Sequence, residues 1–185
     1  MNILLLRLSS MGDLIHTLPA IEDLSKNRPD IKLDWMCEAA FADIACLHPF
    51  VKDVIPMKWR FWRKHLLQSA SRQEIRILRN QLIGKDYRFA LDSQGLLKSA
   101  LFGKLAHTPV LGYDKHSIRE PLASHFYTKT YAVEKHADAI WRNRQLFASV
   151  FGYEFDLERT VFGAQVPNGV EPIVIDERFI VALHA

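Results

Sequence analysis

Short apolar runs of strand length alternate along this chain with segments whose apolar residues recur at helical spacing. The strand-like runs lie at residues 2–8, 31–37, 51–57, 88–92, 109–113 and 128–133. The helical spacing is found at residues 13–27, 38–47, 71–84, 95–106 and 135–151. Strands that alternate with helices favour a parallel sheet with helices on both faces. The sequence therefore predicts a Rossmann-like α/β fold.

Proline and glycine mark the boundaries of this pattern. Pro19 lies inside the first helical segment, where it kinks a helix or delays its regular part, and Gly152 is placed to stop the last one. We predict one domain over residues 1–152. Gly, Pro and isolated charges predict a linker over 153–178, and the apolar run at 179–185 predicts the first strand of a truncated second domain.

Composition excludes several classes of protein. With 185 residues, 49% of them apolar, the chain can bury a sizeable core. No stretch approaches the ~20 apolar residues of a membrane span, so we expect a cytoplasmic protein. Cys37 and Cys46 lack the spacing of a zinc site and are expected to be reduced core thiols. The histidines have no metal-ligand spacing either, so the sequence predicts no metal.

The charge of the chain is small but unevenly distributed. The segment from Lys58 to Arg88 contains nine Lys and Arg residues against two acids, which gives it a charge of +7. The whole chain carries +3, so the remainder carries −4. A local excess of positive charge indicates an anionic partner.

The densest part of this segment, KWRFWRK at residues 58–64, interleaves four cations with three aromatic rings. Such a stretch can bind phosphate or carboxylate groups, with the rings packing on sugar or acyl surface. The alternatives are a nucleic-acid-binding module, a peripheral membrane-binding module without catalysis and a solvated helix face. The last is disfavoured because few acids are available to pair with the cations.

Polar residues follow the first predicted strand, at the sheet edge where ligands meet α/β proteins. They are Ser9, Ser10, Gly12 and Asp13. Either Ser10 or Asp13 caps the following helix and Gly12 permits the turn, or Asp13 is a general base held by the helix N-terminus. The turn contains neither GxGxxG nor GxxxxGK[ST], which argues against a dinucleotide or P-loop phosphate site.

Two further cations follow later strands. Lys98 comes after a strand end through DSQGLLK, so it can project from the first turn of a helix into the same cleft. Arg119 opens REPLAS after a polar loop, and Pro121 suits the start of a helix. The alternative for Lys98 is an exposed side chain without a ligand. The alternative for Arg119 is a structural pair with Glu120, which is disfavoured because neighbours in sequence do not face each other in a helix.

Four motifs resemble the ADP-heptose-using lipopolysaccharide heptosyltransferases, glycosyltransferase family 9. They are RLSSMGDLIHTLPAI at 7–21, FWRK at 61–64, LDSQGLLKSA at 91–100 and REPLASHFY at 119–127. The resemblance implies the N-terminal half of a two-domain GT-B enzyme that transfers L-glycero-D-manno-heptose with inversion. Donor and acceptor would be ADP-heptose and a Kdo sugar of Kdo2-lipid A, in the lipopolysaccharide inner core. A related second heptosyltransferase uses a heptose acceptor, so the exact acceptor stays open.

The resemblance also implies roles for individual residues. Asp13 corresponds to the family's general base, and the acceptor-binding residues would be Ser9, Ser10, Gly12, Arg60, Arg63, Lys64, Lys98 and Arg119. We expect no cofactor. The donor ADP-heptose would be held mainly by the missing domain, so the chain alone is expected to be inactive. The expected partner is Kdo2-lipid A at the cytoplasmic face of the inner membrane, with peripheral membrane contact and no nucleic acid.

Overall fold

The computed structural model describes residues 1–165, and six strands of this part form one parallel sheet. The strands are β1 (Asn2–Leu6), β2 (Lys32–Glu38), β3 (Val51–Met57), β4 (Phe89–Asp92), β5 (Val110–Tyr113) and β6 (Lys129–Tyr131). Their spatial order is β3-β2-β1-β4-β5-β6. The order reverses between β1 and β4, which makes the carboxyl ends of these two strands the crevice where such sheets bind ligands. The predicted Rossmann-like fold is confirmed.

Seven α-helices are found in the described part of the chain. They are α1 (Met11–Ile15), α2 (Leu18–Asn27), α3 (Ala42–Ala45), α4 (Trp59–Trp62), α5 (Ser69–Gly84), α6 (Leu97–Leu105) and α7 (Ala139–Phe151). Two 3₁₀ helices add Ala39–Phe41 and Pro121–Phe126. The segment 38–47, predicted as one helix, is therefore a 3₁₀ turn followed by the single turn α3, and α4 was not predicted.

Both faces of the sheet are covered by helices. Alternate residues of β1 point to opposite sides, so Ile3 and Leu5 belong to one core cluster and Leu4 and Leu6 to the other. The first cluster includes buried side chains of α2 and α7, and the second includes those of α5 and α6. This double coverage explains why the central strands read as continuous apolar runs.

The boundaries predicted from proline and glycine agree with the structure. The first helical segment is broken after α1, and Pro19 occupies the first turn of α2, where a missing N–H costs nothing. Gly152 ends α7 in the left-handed conformation, with φ of 73°, and its N–H donates to the carbonyl of Ala148 at 2.8 Å.

Residues 153–165 contain no helix or strand and pack against the domain. The Arg144 guanidinium donates to the Asp156 carbonyl at 2.7 Å, and the Gln165 N–H donates to the Leu47 carbonyl at 2.8 Å. The rest of the predicted linker and the predicted strand at 179–185 lie outside the described residues.

The two cysteines differ in their surroundings. Cys37 is buried in β2, and burial raises the pKa of its thiol to about 12. Cys46 is exposed, so its assignment to the core is wrong; it follows the short helix α3 on the solvent side. None of the helices within residues 1–165 has the length and apolar character needed to span a membrane.

Candidate functional site at the carboxyl edge of the sheet

The Ser-Ser-Met-Gly-Asp turn connects β1 to α1 at the switch point of the sheet. Ser10 is the residue that precedes α1, and Gly12 and Asp13 lie in its first turn. Gly12 is not among the glycines with positive φ, so the turn does not need glycine for a left-handed backbone at this position. Because Asp13 lies in the first turn of α1, its carboxylate is held at a helix N-terminus beside the crevice.

The two oxygens of the Asp13 carboxylate have different surroundings. Oδ2 accepts hydrogen bonds from the Ser10 backbone N–H at 2.8 Å and the Ser10 hydroxyl at 3.1 Å. No hydrogen bond within residues 1–165 uses Oδ1. One oxygen therefore caps α1, as the first interpretation expects, and the other is free to accept a proton or hydrogen bond from a ligand.

Ser9 is bound from the opposite side of the crevice by residues that follow β4. The Gln94 side-chain amide donates to the Ser9 carbonyl at 2.7 Å, and the Lys98 ammonium donates to the Ser9 hydroxyl at 2.9 Å. Lys98 lies in the first turn of α6, as predicted. These contacts fix the turn after β1 to the turn after β4.

Asp92, the last residue of β4, organises the second of these turns. Its carboxyl group is fully buried and accepts from the N–H groups of Gln94 and Gly95 and from the hydroxyls of Ser99 and Tyr127, at 2.7 to 3.0 Å. Burial raises the pKa of Asp92 above its ordinary value, although the four hydrogen bonds oppose this shift. Gly95 adopts a positive φ of 69°, so glycine is required here rather than at residue 12.

A cavity of about 410 Å³ opens beside Asp13. Asp13 and Arg119 both line it, so the cavity brings together two predicted site residues that lie 106 positions apart in the sequence. Its other polar or charged lining residues are Arg7, Ser93, Gln94, Tyr113, Lys135, His136, Arg142 and Asn143. Four Arg and Lys side chains surround one carboxylate, so the cavity suits an anionic or strongly polar ligand.

The back of this cavity is built from a buried polar network. The guanidinium of Arg7, only 8% exposed, donates to the Ser93 hydroxyl at 3.1 Å and to the Asn143 side-chain oxygen. The Asn143 amide in turn donates to the His16 carbonyl at 3.0 Å. Arg142 lies over the Tyr113 ring, 5.1 Å from its centre. The network joins β1, α7 and the start of α2 behind the site.

The basic stretch after β3 approaches the site at Lys98. Burial lowers the pKa of Lys98, and the nearby charges of Arg60 and Arg63 lower it further while Glu38 and Glu120 oppose the shift. Arg60 also stacks over the Phe41 ring at 5.3 Å. Lys64 is exposed, and no hydrogen bond or ion pair of the described part joins its side chain to the site.

Two assumptions about this basic segment are wrong. Acids do pair with some of its cations: Glu74 lies 3.2 Å from Lys58, and Asp34 lies 3.2 Å from Lys85. Trp62 does not face a ligand either. It is 3% exposed and donates to Glu74, whereas Trp59 is only partly buried; both rings pack on Phe102 of α6. The Trp62 ring is therefore unavailable for stacking on nucleic-acid bases, while Arg60, Arg63 and Lys64 have no paired acid within residues 1–165.

Several site residues were not predicted, namely Arg7, Gln94, Arg142 and Asn143. A signal existed for Arg7, because a charged residue inside an otherwise apolar strand is rarely buried without a partner. Gln94 stood in the quoted DSQG motif, directly after a strand end. Asn143 and Arg142 lie more than 120 positions from Asp13, and only the packing of α7 on the sheet brings them to the site. Within residues 1–165, His, Cys, Asp and Glu side chains form no cluster suited to a metal ion.

The fold and the site define a Rossmann-like domain with a polar, cation-rich cavity at the switch point of its sheet. A family model described as glycosyltransferase family 9 (heptosyltransferase) matches residues 75–169. The chain belongs to this family.

Two curated relatives are named lipopolysaccharide heptosyltransferase 1. One, from Pseudomonas aeruginosa, is 46% identical over 83% of this chain and 43% of its own length. The other, from Escherichia coli K12, is 42% identical over 83% of this chain and 48% of its own length. The chain thus spans about half the length of the curated relatives it matches.

A solved structure titled E. coli heptosyltransferase WaaC with ADP superimposes with a TM-score of 0.84. Its sequence is 40% identical to that of this chain. The match covers 88% of this chain and 51% of the solved one. The E. coli ADP-heptose heptosyltransferase II matches with a TM-score of 0.62 at 23% identity, which shows the shared fold alone.

Proposed function

We propose that this chain forms the acceptor-binding half of a heptosyltransferase that acts in lipopolysaccharide inner-core synthesis. The enzyme would transfer L-glycero-D-manno-heptose from ADP-heptose to a Kdo sugar of Kdo2-lipid A, with inversion. The observation that carries this proposal is the unbonded Oδ1 of Asp13 in a cavity rich in Arg and Lys side chains. The names of the relatives at 41 to 46% identity support heptosyl transfer in lipopolysaccharide synthesis.

The chemistry needs one proton acceptor on this half of the enzyme. The acceptor hydroxyl loses its proton to Oδ1 of Asp13 as its oxygen bonds to the anomeric carbon of the heptose, and ADP leaves from the opposite side. The Ser10 N–H and hydroxyl hold the carboxylate through Oδ2, so Oδ1 keeps its orientation during the transfer. Geometry is the contribution proposed for this residue.

The cations would bind the negative groups of the acceptor. Arg119 lines the same cavity as Asp13, and Lys98 lies on the other side of Ser9. Arg60, Arg63 and Lys64 extend this positive surface away from the cavity. Kdo carboxylates and lipid A phosphates are ligands of matching charge. We place the enzyme in the cytoplasm, in peripheral contact with the inner membrane that holds this lipid.

The role of Asp13 is tested by Asp13→Asn in a chimaera that joins this chain to the remaining part of E. coli WaaC. Asparagine keeps an oxygen that can cap α1 but cannot accept the proton, so we expect kcat to fall by about 10²- to 10⁴-fold. The circular dichroism spectrum and melting temperature should stay close to those of the parent. Turnover near the parental rate would show that the carboxylate acts only as a cap.

The role of the basic residues is tested by calorimetry on the 185-residue chain with deacylated Kdo2-lipid A. Each charge-assisted hydrogen bond is worth about 1.5–3 kcal/mol, so the Arg60→Gln, Arg63→Gln double variant should bind at least about tenfold more weakly. Arg88→Gln is the matched control, because Arg88 is an exposed arginine of the same segment at the amino end of β4. An equal loss in the control would point to non-specific attraction and refute the assignment.

A further inference from the structure

A second cavity, of about 320 Å³, lies between α4, α5 and α6 and is called the apolar cleft here. Six of the seven residues that line it have apolar or aromatic side chains, and the seventh is Lys98. The six are Trp59, Ile75, Leu97, Leu101, Phe102 and Leu105. The polar cavity at Asp13 shares none of these residues. The protein therefore has an apolar surface beside its cation-rich site.

The wall of the apolar cleft is one face of α6. Leu97, Leu101 and Leu105 recur at every fourth residue, which places them on one side of the helix. Leu101 is 47% exposed, although a leucine at the centre of a helix row of this kind normally packs against a neighbour. Trp59 contacts Phe102 edge to face at 5.6 Å and closes the cleft from the side of α4. Leu101 thus faces an open groove, while Leu105 of the same row also packs against the second core cluster.

Lys98 connects the apolar cleft to the proposed acceptor site. Its side chain lines the cleft, and its ammonium group donates to the Ser9 hydroxyl at 2.9 Å. A lysine in this position presents methylene groups to one side and a charge to the other. Arg60 and Arg63 add positive charge near the same ammonium group. One end of the apolar cleft is therefore cationic, and the rest is apolar.

We propose that the apolar cleft binds an acyl chain of the acceptor lipid while the anionic sugar head group lies at Lys98 and Asp13. This inference rests on the function proposed above and adds a second binding surface to it. A ligand with only sugars and phosphates would leave Leu101 of α6 in water, and a simple fatty acid offers no sugar hydroxyl to Asp13. An anionic glycolipid matches both the charge of the rim and the apolar wall.

The test compares two ligands on the same 185-residue chain. One is Kdo2-lipid A without its ester-linked chains, which keeps its amide-linked acyl chains, and the other is the same molecule with every chain removed. Both are titrated below the concentration at which micelles form. Burying several methylene groups in the cleft should make the acylated ligand bind at least about tenfold more tightly.

Leu101→Gln makes the wall of the cleft polar without removing a buried side chain. We expect this variant to lower the preference for the acylated ligand to about threefold or less and to leave binding of the deacylated ligand unchanged. Ile77→Gln is the matched control, because Ile77 is 58% exposed on α5 and does not line the cleft. The control should keep the full preference for the acylated ligand.

A second measurement reports the position of the chain directly. A brominated acyl chain quenches tryptophan fluorescence on contact, and Trp59 lines the cleft. Quenching should occur in the parent and decrease strongly in Trp59→Phe, which keeps an aromatic ring against Phe102. Unchanged quenching in Trp59→Phe would place the chain elsewhere and overturn the assignment.

The possible outcomes separate this inference from the proposed function. Equal affinity for both ligands would overturn the cleft as an acyl site and leave the acceptor site intact. Binding of neither ligand would overturn both proposals. The same loss of preference in Ile77→Gln would show adsorption to any exposed apolar side chain. A dimer that Leu101→Gln dissociates in sedimentation would assign the cleft to a second copy of the chain.

Discussion

Replacing Asp92 should separate the contribution of its hydrogen bonds from that of its charge. Asp92→Ala removes the acceptor of the Gln94 and Gly95 N–H groups and of the Tyr127 hydroxyl. Ser99 is less affected, because its hydroxyl can donate instead to the Leu96 carbonyl, which lies 2.8 Å away. Three buried donors are left without a partner at about 1–3 kcal/mol each. We expect Asp92→Ala to lower the free energy of unfolding by about 3 kcal/mol or more.

Asp92→Asn should cost far less. The side-chain oxygen of asparagine can still accept from the two backbone N–H groups. Its NH₂ group can donate to the hydroxyls of Ser99 and Tyr127, which are able to rotate and accept. All four hydrogen bonds are kept, and in two of them the side chain donates instead of accepting. The expected loss in the free energy of unfolding is therefore about 1 kcal/mol or less. Urea unfolding of the 185-residue chain at neutral pH measures both values.

The pH dependence of the same pair tests why the pKa of Asp92 is raised. A carboxyl group with a higher pKa in the folded state than in the unfolded chain adds stability below its ordinary value of 3.8. That contribution is lost as the pH rises through the folded-state pKa. The free energy of unfolding of the parent, relative to Asp92→Asn, should therefore decrease from acidic to neutral pH.

Two results would refute this reasoning about Asp92. If Asp92→Asn were as destabilising as Asp92→Ala, the reversed hydrogen bonds would not form. If the difference between the parent and Asp92→Asn increased with pH, the four hydrogen bonds would outweigh burial and lower the pKa instead of raising it.

Two further predictions concern Lys98 and Gly112. Lys98→Met should remove most of the pH dependence of acceptor binding, because the lowered pKa of Lys98 makes the affinity for an anion fall as the pH rises. Calorimetry over a pH series measures this, and an equal pH dependence in the parent and the variant would contradict it. Gly112→Ala should lower the free energy of unfolding by about 1–3 kcal/mol, because the new Cβ would lie 2.5 Å from the ring of Tyr127, whose hydroxyl donates to Asp92. An unchanged urea midpoint would show that the ring moves freely.

The fold could be predicted from the sequence because its main determinants are local. The apolar runs of β1 and β4 and the helical spacing of α6 each reflect what one element buries. Pro19 and Gly152 act through backbone rules that hold in any protein. The prediction of one helix over residues 38–47 was wrong, because the same spacing of apolar residues also fits a 3₁₀ turn followed by a single helical turn. Short elements of this kind are decided by packing rather than by pattern.

The site was predicted where a side chain directly follows a strand. Asp13 and Lys98 lie in the first turns of helices that begin at the carboxyl edge, so strand order alone places both at this edge, although Lys98 does not line the cavity at Asp13. Arg7 and Asn143 were missed, because their contact depends on the docking of α7 against the sheet. The inward orientation of Trp62 was missed for the same reason: its partner Glu74 lies on a different helix.

The two interpretations of Asp13, helix cap and general base, are compatible because each uses a different oxygen. Oδ2 accepts from Ser10 at 2.8 Å, and Oδ1 has no partner within residues 1–165. A cap contributes about 1 kcal/mol, so Asp13→Ala should lower the free energy of unfolding by that amount while Asp13→Asn leaves it nearly unchanged. In the chimaera with WaaC, both variants should lose turnover to a similar extent, since neither accepts a proton. A loss of turnover that followed the loss of stability, large for alanine and small for asparagine, would mean that Asp13 contributes through the helix alone.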